Sequence, residues 1–263
     1  MKNKILLIGG AGYIGTVLIR YLLDKKYEVT CLDNLIYNNS YSLKEFEKTN
    51  RFNFILGDLR NDLLLNKLLV NYDAVIILAG LVGDPITKKY PFEAKQINEK
   101  GILNCIDLLN NKGLDRVILV STCSNYGIVK KSELANENEQ LNPLSDYAKA
   151  KVLAEKHLLN CKDKVDYIPT ILRFATAFGK SFRMRFDLTI NEFCRELAVG
   201  NKLVVYDQNT WRPYCHVKDF ARLIHIALLA PKEKVDFEIF NAGGDQNNCT
   251  KEKIIEYLKN FFP

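Results

Sequence analysis

Lys4-Ile5-Leu6-Leu7-Ile8-Gly9-Gly10-Ala11-Gly12-Tyr13-Ile14-Gly15 is a short apolar run that breaks directly into glycines. Two registers fit those glycines, Gly10-x-Gly12-x-x-Gly15 and the looser Gly9-x-x-Gly12-x-x-Gly15. Both ask for the same physics: a tight turn, close approach of the backbone to a pyrophosphate, and a helix packed closely on the preceding strand. The first N–H groups of that helix and its positive end then face the phosphates. A second apolar run closes in Leu32-Asp33-Asn34, near the roughly 20-residue spacing expected for a ribose-binding acid. A carboxylate there accepts hydrogen bonds from the ribose hydroxyls and repels a 2′-phosphate, so Asp33 points to NAD rather than NADP. Gly9, Gly12, Tyr13, Ile14, Gly15, Asp33 and Asn34 are the cofactor-binding candidates of this half.

Outward from this segment, short apolar runs alternate with longer amphipathic ones. Lys4–Ile8, Glu28–Leu32, Phe52–Leu56, Ala74–Leu78 and Arg116–Val120 read as buried strands. Tyr13–Lys25, Leu43–Lys48, Asp62–Leu69 and Pro91–Asn111 read as helices between them. A helix over Ser145–Leu159 and a strand over Tyr167–Phe174 follow. This alternation predicts an α/β fold with a doubly wound parallel sheet. Beyond Gly179 the rhythm becomes irregular. A helix over Asp187–Val199, a strand over Leu203–Tyr206, a helix over Lys218–Leu229, a strand over Phe237–Asn241 and a last helix from Thr250 are expected. The division that follows is a main domain over 1–178, with 213–241 returning to it, and a small substrate lobe from 179–212 and 242–263.

The chain has 263 residues, 48% hydrophobic and 26% charged, a balance that excludes disorder. No apolar run approaches the ~20 residues that span a bilayer. Seven scattered cysteines without a Cys-x-x-Cys or a His cluster argue against a disulfide framework or a structural zinc site, and for reduced thiols in a cytoplasm. No metal is expected. The net charge of +6 comes without a basic block, so no nucleic-acid partner is indicated.

Tyr147-x-x-x-Lys151 sets a phenol and an ammonium on one helix face. The same spacing occurs at Tyr21–Lys25, Tyr126–Lys130 and Tyr214–Lys218, and position separates them. Only Tyr147 heads a helix that follows a strand ending in Ser121-Thr122-Cys123-Ser124, and ligands of open α/β sheets bind at the carboxyl ends of strands. A phenol titrates near ~10 when free, and a neighbouring ammonium lowers it toward use as a base. A strand hydroxyl would share the proton path.

In order along nearly the whole chain, these stretches resemble the extended short-chain dehydrogenase/reductases, and among them the NAD-dependent nucleotide-sugar epimerases and dehydratases related to UDP-glucose 4-epimerase. The resemblance rests on Gly9–Gly15, Leu32-Asp33-Asn34-Leu35, Gly57-Asp58-Leu59-Arg60, Leu78-Ala79-Gly80-Leu81, Asn98, Ser121–Gly127, Tyr147/Lys151, Leu172-Arg173-Phe174, Trp211–Asp219 and Phe240–Gly244. It implies a Rossmann-type domain with a small C-terminal substrate lobe. It implies that Asp58 and Leu59 meet the adenine, and that Ala79, Gly80 and Leu81 line the nicotinamide side. Asn98 belongs with the cofactor residues. Lys151 would hold the nicotinamide ribose and tune Tyr147, and Thr122 is the proton-relay position. Thr176, Arg183 and Arg212 are the substrate candidates, Arg212 where relatives hold the diphosphate.

Where the 4,6-dehydratases carry an Asp-Glu pair, this chain has Cys123 and Ser124, which argues against dehydration. The expected activity is NAD-dependent oxidoreduction at a nucleotide-activated sugar, as a 4-epimerase or 4-dehydrogenase through a 4-keto intermediate. The alternatives are a 4-keto-sugar reductase and a non-catalytic NAD(H)-binding regulator or scaffold. The resemblance also implies a homodimer through helices near 91–111 and 145–159. Relatives continue several dozen residues past the position of Pro263, so a partly open pocket and a loosely held Gly179–Phe186 loop are expected. His216 reads as a structural histidine.

Overall fold

The computed structural model describes residues 3–129 and 134–262. In chain order its elements are β1 (Lys4–Ile8), α1 (Tyr13–Asp24), β2 (Glu28–Asp33), β3 (Phe52–Leu56), α2 (Asp62–Leu68), β4 (Ala74–Ile77), α3 (Asp84–Lys89), α4 (Pro91–Lys95), α5 (Ile102–Leu108), β5 (Arg116–Thr122), α6 (Asp146–Leu159), β6 (Ile168–Phe174), β7 (Thr176–Phe178), α7 (Thr189–Ala198), β8 (Trp211–His216), α8 (Val217–Leu229), α9 (Lys232–Val235), β9 (Glu238–Ala242), β10 (Asn248–Thr250) and α10 (Lys251–Lys259).

The large sheet is parallel throughout, in the order β3-β2-β1-β4-β5-β6-β9. Strand order reverses between β1 and β4, and the crevice outside the carboxyl ends at such a switch is where ligands bind. Residues of β1 and β4 alternate between two buried layers. Leu7 and Ile76 face one layer with Leu18, Ile19 and Leu22 of α1 and Phe220 and Ile224 of α8. Leu6 and Val75 face the other with Leu65 of α2, Ile102 and Ile106 of α5 and Leu158 of α6. Truncating a side chain such as Leu22, wholly buried, to alanine costs about 2–5 kcal/mol. No described helix is long and apolar enough to cross a membrane.

The second sheet, β10-β8-β7, joins α7 and α10 around Phe193, Tyr214 and Ile254. β8 pairs only within this sheet, so the chain returns to the layers of the large sheet at α8. The strand expected at Leu203–Tyr206 does not form. Leu203 and Val205 lean on the small cluster while Val204 and Tyr206 face outward, but among the described residues no neighbouring backbone completes a ladder. The helix expected over Pro91–Asn111 is interrupted by a wider, π-helical turn at Gln96–Gly101. There Gly101 comes so close to the loop after β3 that a Cβ would stand 2.7 Å from Leu59 Cδ1.

Candidate active site

The carboxyl ends of β1, β2, β4, β5 and β6 open into one cleft of about 500 Å³. Of the residues singled out from sequence, Gly9, Gly12, Tyr13, Ile14, Gly15, Asp33, Asn34, Leu59, Ala79, Gly80, Leu81, Thr122, Tyr147, Lys151, Thr176 and Arg183 line it. Asp58, Asn98 and Arg212 do not.

Each glycine of the loop has a separate reason. Gly9 has φ +83° and lies against β4's exit, where a Cβ would stand 2.5 Å from Ala79 Cα. At Gly15 a Cβ would meet the Gly10 carbonyl oxygen at 2.3 Å, so this glycine lets α1 close on the turn. Gly12 differs: the nearest atom to its Cβ position is 3.6 Å away, an ordinary contact. The protein leaves room there, on the cleft side, and Gly12 is the N-cap of α1 with no side chain accepting from the helix N–H groups. An uncapped helix start behind a bare backbone is a fit for a pyrophosphate. Nearby, Asn39 donates from Nδ2 to the Ala11 carbonyl at 2.6 Å, while its buried Oδ1 has no partner among the described residues. Asn39 also lines the cleft, so a ribose hydroxyl would satisfy that oxygen. These residues fit a dinucleotide.

Asp33 accepts from Ala11 N–H at 3.0 Å and from Leu35 N–H at 2.9 Å. Burial raises its pKa above the usual carboxylate range, and those N–H groups and the Arg183 guanidinium offset that only in part. This acid therefore also braces the glycine loop, a role that its spacing along the chain does not reveal. Asn34 donates to Asp58 at 3.0 Å, and Arg60 grips the same carboxylate with Nε and Nη2 at 2.8 and 2.7 Å. The Arg60 hydrogen bonds hold the Asp58 pKa down at about 2. Asp58 thus sits in a shallow groove beside the cleft, with Arg60 and Asn61. Asn98 is buried in the π-helical turn, accepts from Leu81 N–H at 2.7 Å and donates to Leu81 O at 2.9 Å. It fixes the Leu81 backbone in the cleft wall and acts through it.

Ser145 caps α6 by accepting from Ala148 N–H at 3.3 Å, which starts the helix just before Tyr147. One turn on, Lys151 donates to Val120 O at 2.8 Å and lies 6.0 Å from the centre of the Tyr147 ring. Lys151 is 6% exposed. Burial lowers its pKa to about 8, against the pull of Glu155. Thr122 closes β5, and its Oγ1 accepts from Ser124 N–H at 3.2 Å. Thr122, Ser124, Tyr147 and Lys151 thus line the cleft together at this end.

Behind them lies a buried network that the sequence reading did not find. Glu155 (1% exposed) receives Arg173 (4% exposed) through Nε at 3.1 Å and Nη2 at 2.7 Å. Asn125 and Ser121 also donate to Glu155. Arg173 reaches Tyr126 Oη at 2.9 Å, and Tyr126 donates to Asn241 at 2.6 Å. The i, i+4 spacing of Lys151 and Glu155 on one helix face was the available signal.

The lobe supplies two arginines to the cleft. The Arg183 guanidinium stacks 4.6 Å from the centre of the Tyr37 ring and pulls on Asp33, so it stands on the ribose-acid side. Arg185 pairs with Asp187 and reaches Val82 O at 3.5 Å. Arg212, exposed on β8 and outside the cleft lining, acts electrostatically on Cys123 at the end of β5. The Gly179–Phe186 loop, expected to be loosely held, is bonded to α1. Tyr13 Oη donates to Gly179 O at 2.6 Å, Ser181 Oγ donates to Tyr13 O at 2.7 Å, and Phe182 meets Phe46 edge-on at 5.1 Å. The partners Tyr13 and Phe46 lie far from this loop in sequence, which is why local reading missed them. His216 caps α8 by accepting from Lys218 N–H at 3.2 Å and meets Phe178 edge-on, a structural role.

Comparison with known proteins agrees with this geometry. Residues 5–243 match the model of the NAD dependent epimerase/dehydratase family. A UDP-glucuronate 4-epimerase of Thermodesulfobacterium geofontis is 28% identical over 265 residues, covering 97% of this chain and 79% of the relative. A UDP-glucose 4-epimerase of Lactobacillus helveticus is 31% identical over 181 residues, covering 68% of this chain and 53% of the relative. The chain thus spans about half the length of one relative and about four-fifths of the other. The crystal structure of a Bacillus cereus UDP-glucuronic acid 4-epimerase, in complex with UDP-glucuronic acid and NAD, superposes with a TM-score of 0.86 at 28% identity, over 98% of this chain and 82% of that one.

Proposed function

The chain belongs to the NAD dependent epimerase/dehydratase family, and on that premise we propose that it is a UDP-sugar 4-epimerase. The observation that carries this reading is the pairing of Tyr147 and Lys151 on α6, in the same cleft as the glycine loop and Asp33. Gly9, Gly12, Gly15, Asp33 and Asn39 would hold NAD. When bound, NAD supplies the hydride acceptor and donor at C4 of the sugar. Tyr147, as phenolate, takes the proton from the C4 hydroxyl, and Thr122 carries the hydrogen bond that shares it. Lys151 favours the phenolate by its charge and, through Val120, keeps α6 in register with the end of β5. Once the 4-keto sugar has turned, so that C4 would take hydride back on its opposite face, Tyr147 returns the proton to the C4 oxygen and completes the cycle. Arg212 would hold the diphosphate, and Thr176 the sugar. Cys123 and Ser124 bring no carboxylate to eliminate water, which favours epimerisation over dehydration.

The assembly proposed is a homodimer through the helices at 91–111 and 145–159. Phe92, 70% exposed, and the exposed Leu153 on these helices support it. Seven free cysteines support a reducing, cytoplasmic location.

The decisive experiment is incubation of the purified chain with NAD and UDP-glucose, UDP-glucuronic acid or UDP-arabinose, with products resolved by NMR. Interconversion of 4-epimers without net NADH is expected. Net NADH would make it a dehydrogenase. NAD binding with no turnover of any sugar would leave a binding protein and overturn the reading.

A further inference from the structure

α6 carries Tyr147 at its start, and its far end lies on the order of 20 Å away at about 1.5 Å per residue. There the last turns of α5 and α6 converge. Asn110 donates to Lys164 O at 3.0 Å and Asn111 N–H donates to Asp166 at 3.0 Å, tying the two ends together. Both helices point their carbonyl ends at this spot, which favours a cation and disfavours an acid. Yet Asp107 sits in the last turn of α5. Its Oδ1 lies 2.7 Å from His157 Nε2. Cys161, four residues after His157, brings its Sγ to the same spot, 3.3 Å from His157 O. The carboxylate oxygen, ring nitrogen and sulfur all lie within 4.8 Å of one another.

An independent observation marks the same place. Tyr167, 4% exposed, has no hydrogen-bond partner for its hydroxyl among the described residues. That hydroxyl stands in the field of Cys161 and Asp107, and of Cys105 and Asp166 beside them. A buried orphan phenol beside an acid at the wrong helix end is a costly arrangement for a site that does nothing.

We propose that Asp107 Oδ1, His157 Nε2 and Cys161 Sγ form a binding site for a divalent cation of the zinc class, with the Tyr167 hydroxyl beside it. One sulfur, one imidazole and one carboxylate are the donor types such an ion takes, with water completing the tetrahedron. Binding is a proton exchange: Cys161 releases its thiol proton to solvent, His157 binds neutral through Nε2, and the Asp107–His157 contact opens as the ion enters between them. No oxidation or reduction is involved. The ion would pin the end of the helix that carries Tyr147 and Lys151 to α5. The sequence hides the site because Asp107 lies 50 residues from His157.

Cobalt(II) is the probe, added to the full chain after chelator treatment. One ion per chain is expected, with a thiolate-to-cobalt band in the near ultraviolet and the visible bands of a tetrahedral site, both bleached by zinc. Cys161→Ser should lose the thiolate band. Asp107→Asn and His157→Gln should each weaken binding by at least the roughly 10- to 100-fold that loss of an outer partner costs. All three positions lie at the surface edge, and unchanged circular dichroism checks their folding. No stoichiometric cobalt on the wild-type chain, or a thiolate band that survives Cys161→Ser, overturns the proposal without touching the epimerase reading.

Discussion

Lys151 Nζ and the Val120 carbonyl oxygen, 2.8 Å apart, join the middle of α6 to β5 two residues before Thr122. The bond places a buried ammonium beneath the phenol of Tyr147, in a site where burial has lowered the lysine to about 8 and Glu155 resists that fall.

Turnover that needs this ammonium should therefore fall as pH rises through about 8, and a pH–rate profile checks it. A profile flat to pH ~10 would show that Lys151 works uncharged. The stability sign runs the other way. Between about 8 and 10.5 the unfolded chain keeps a proton that the folded one has released, so this group adds stability as pH rises across that window. Lys151→Met should flatten that part of the denaturation curve.

Gly12→Ala and Gly15→Ala should separate binding from folding. The Cβ at 12 meets nothing closer than 3.6 Å, so the fold should survive with the thermal midpoint little changed while NAD affinity drops. The Cβ at 15 would stand 2.3 Å from the Gly10 carbonyl, so that variant should lose stability outright. Calorimetry and thermal unfolding on both variants distinguish the cases. Equal NAD affinity in Gly12→Ala would remove the pyrophosphate from that backbone.

Arg183 and Arg212 should report different ligands. Arg183 faces Asp33 and Tyr37, so Arg183→Ala should weaken NAD binding. Arg212 stands within electrostatic reach of Cys123, so Arg212→Ala should weaken UDP-sugar binding and leave NAD alone. Titrations of each ligand with each variant provide the check, and a reversed pattern would exchange the two roles.

Asp33→Asn removes the charge assigned to the ribose and weakens the brace on Ala11 and Leu35. NAD affinity should fall by about 1.5–3 kcal/mol, and preference for NAD over NADP should shrink. Equal affinity for the two cofactors in the wild-type chain would refute the assignment of Asp33 as the selector.

Arg173→Met takes the guanidinium partner from the buried Glu155 carboxylate and leaves it the hydrogen bonds from Ser121 and Asn125. A loss of about 3–5 kcal/mol in urea unfolding is expected. Replacing both partners by apolar residues should recover much of that loss, because the uncompensated charge is then gone.

The order of elements, the parallel sheet and the glycine loop were legible in the chain itself. Period-two and period-3.6 patterns, and the steric needs of Gly9 and Gly15, are local properties that survive without knowing what lies across the fold. β1 and β3 match the expected runs residue for residue. Leu203–Tyr206 shows the limit: its pattern is that of a strand, but a strand exists only when a neighbour offers its backbone. Tertiary structure alone decided that Arg183 enters the cleft beside Asp33 while Arg212 stays outside its lining, how Tyr13 and Ser181 bind the lobe loop, and that Glu155 and Arg173 share one buried site. The same holds for Asp107, His157 and Cys161. These pairings join residues up to 168 positions apart, and sequence spacing carries no information about distances set by the docking of whole layers.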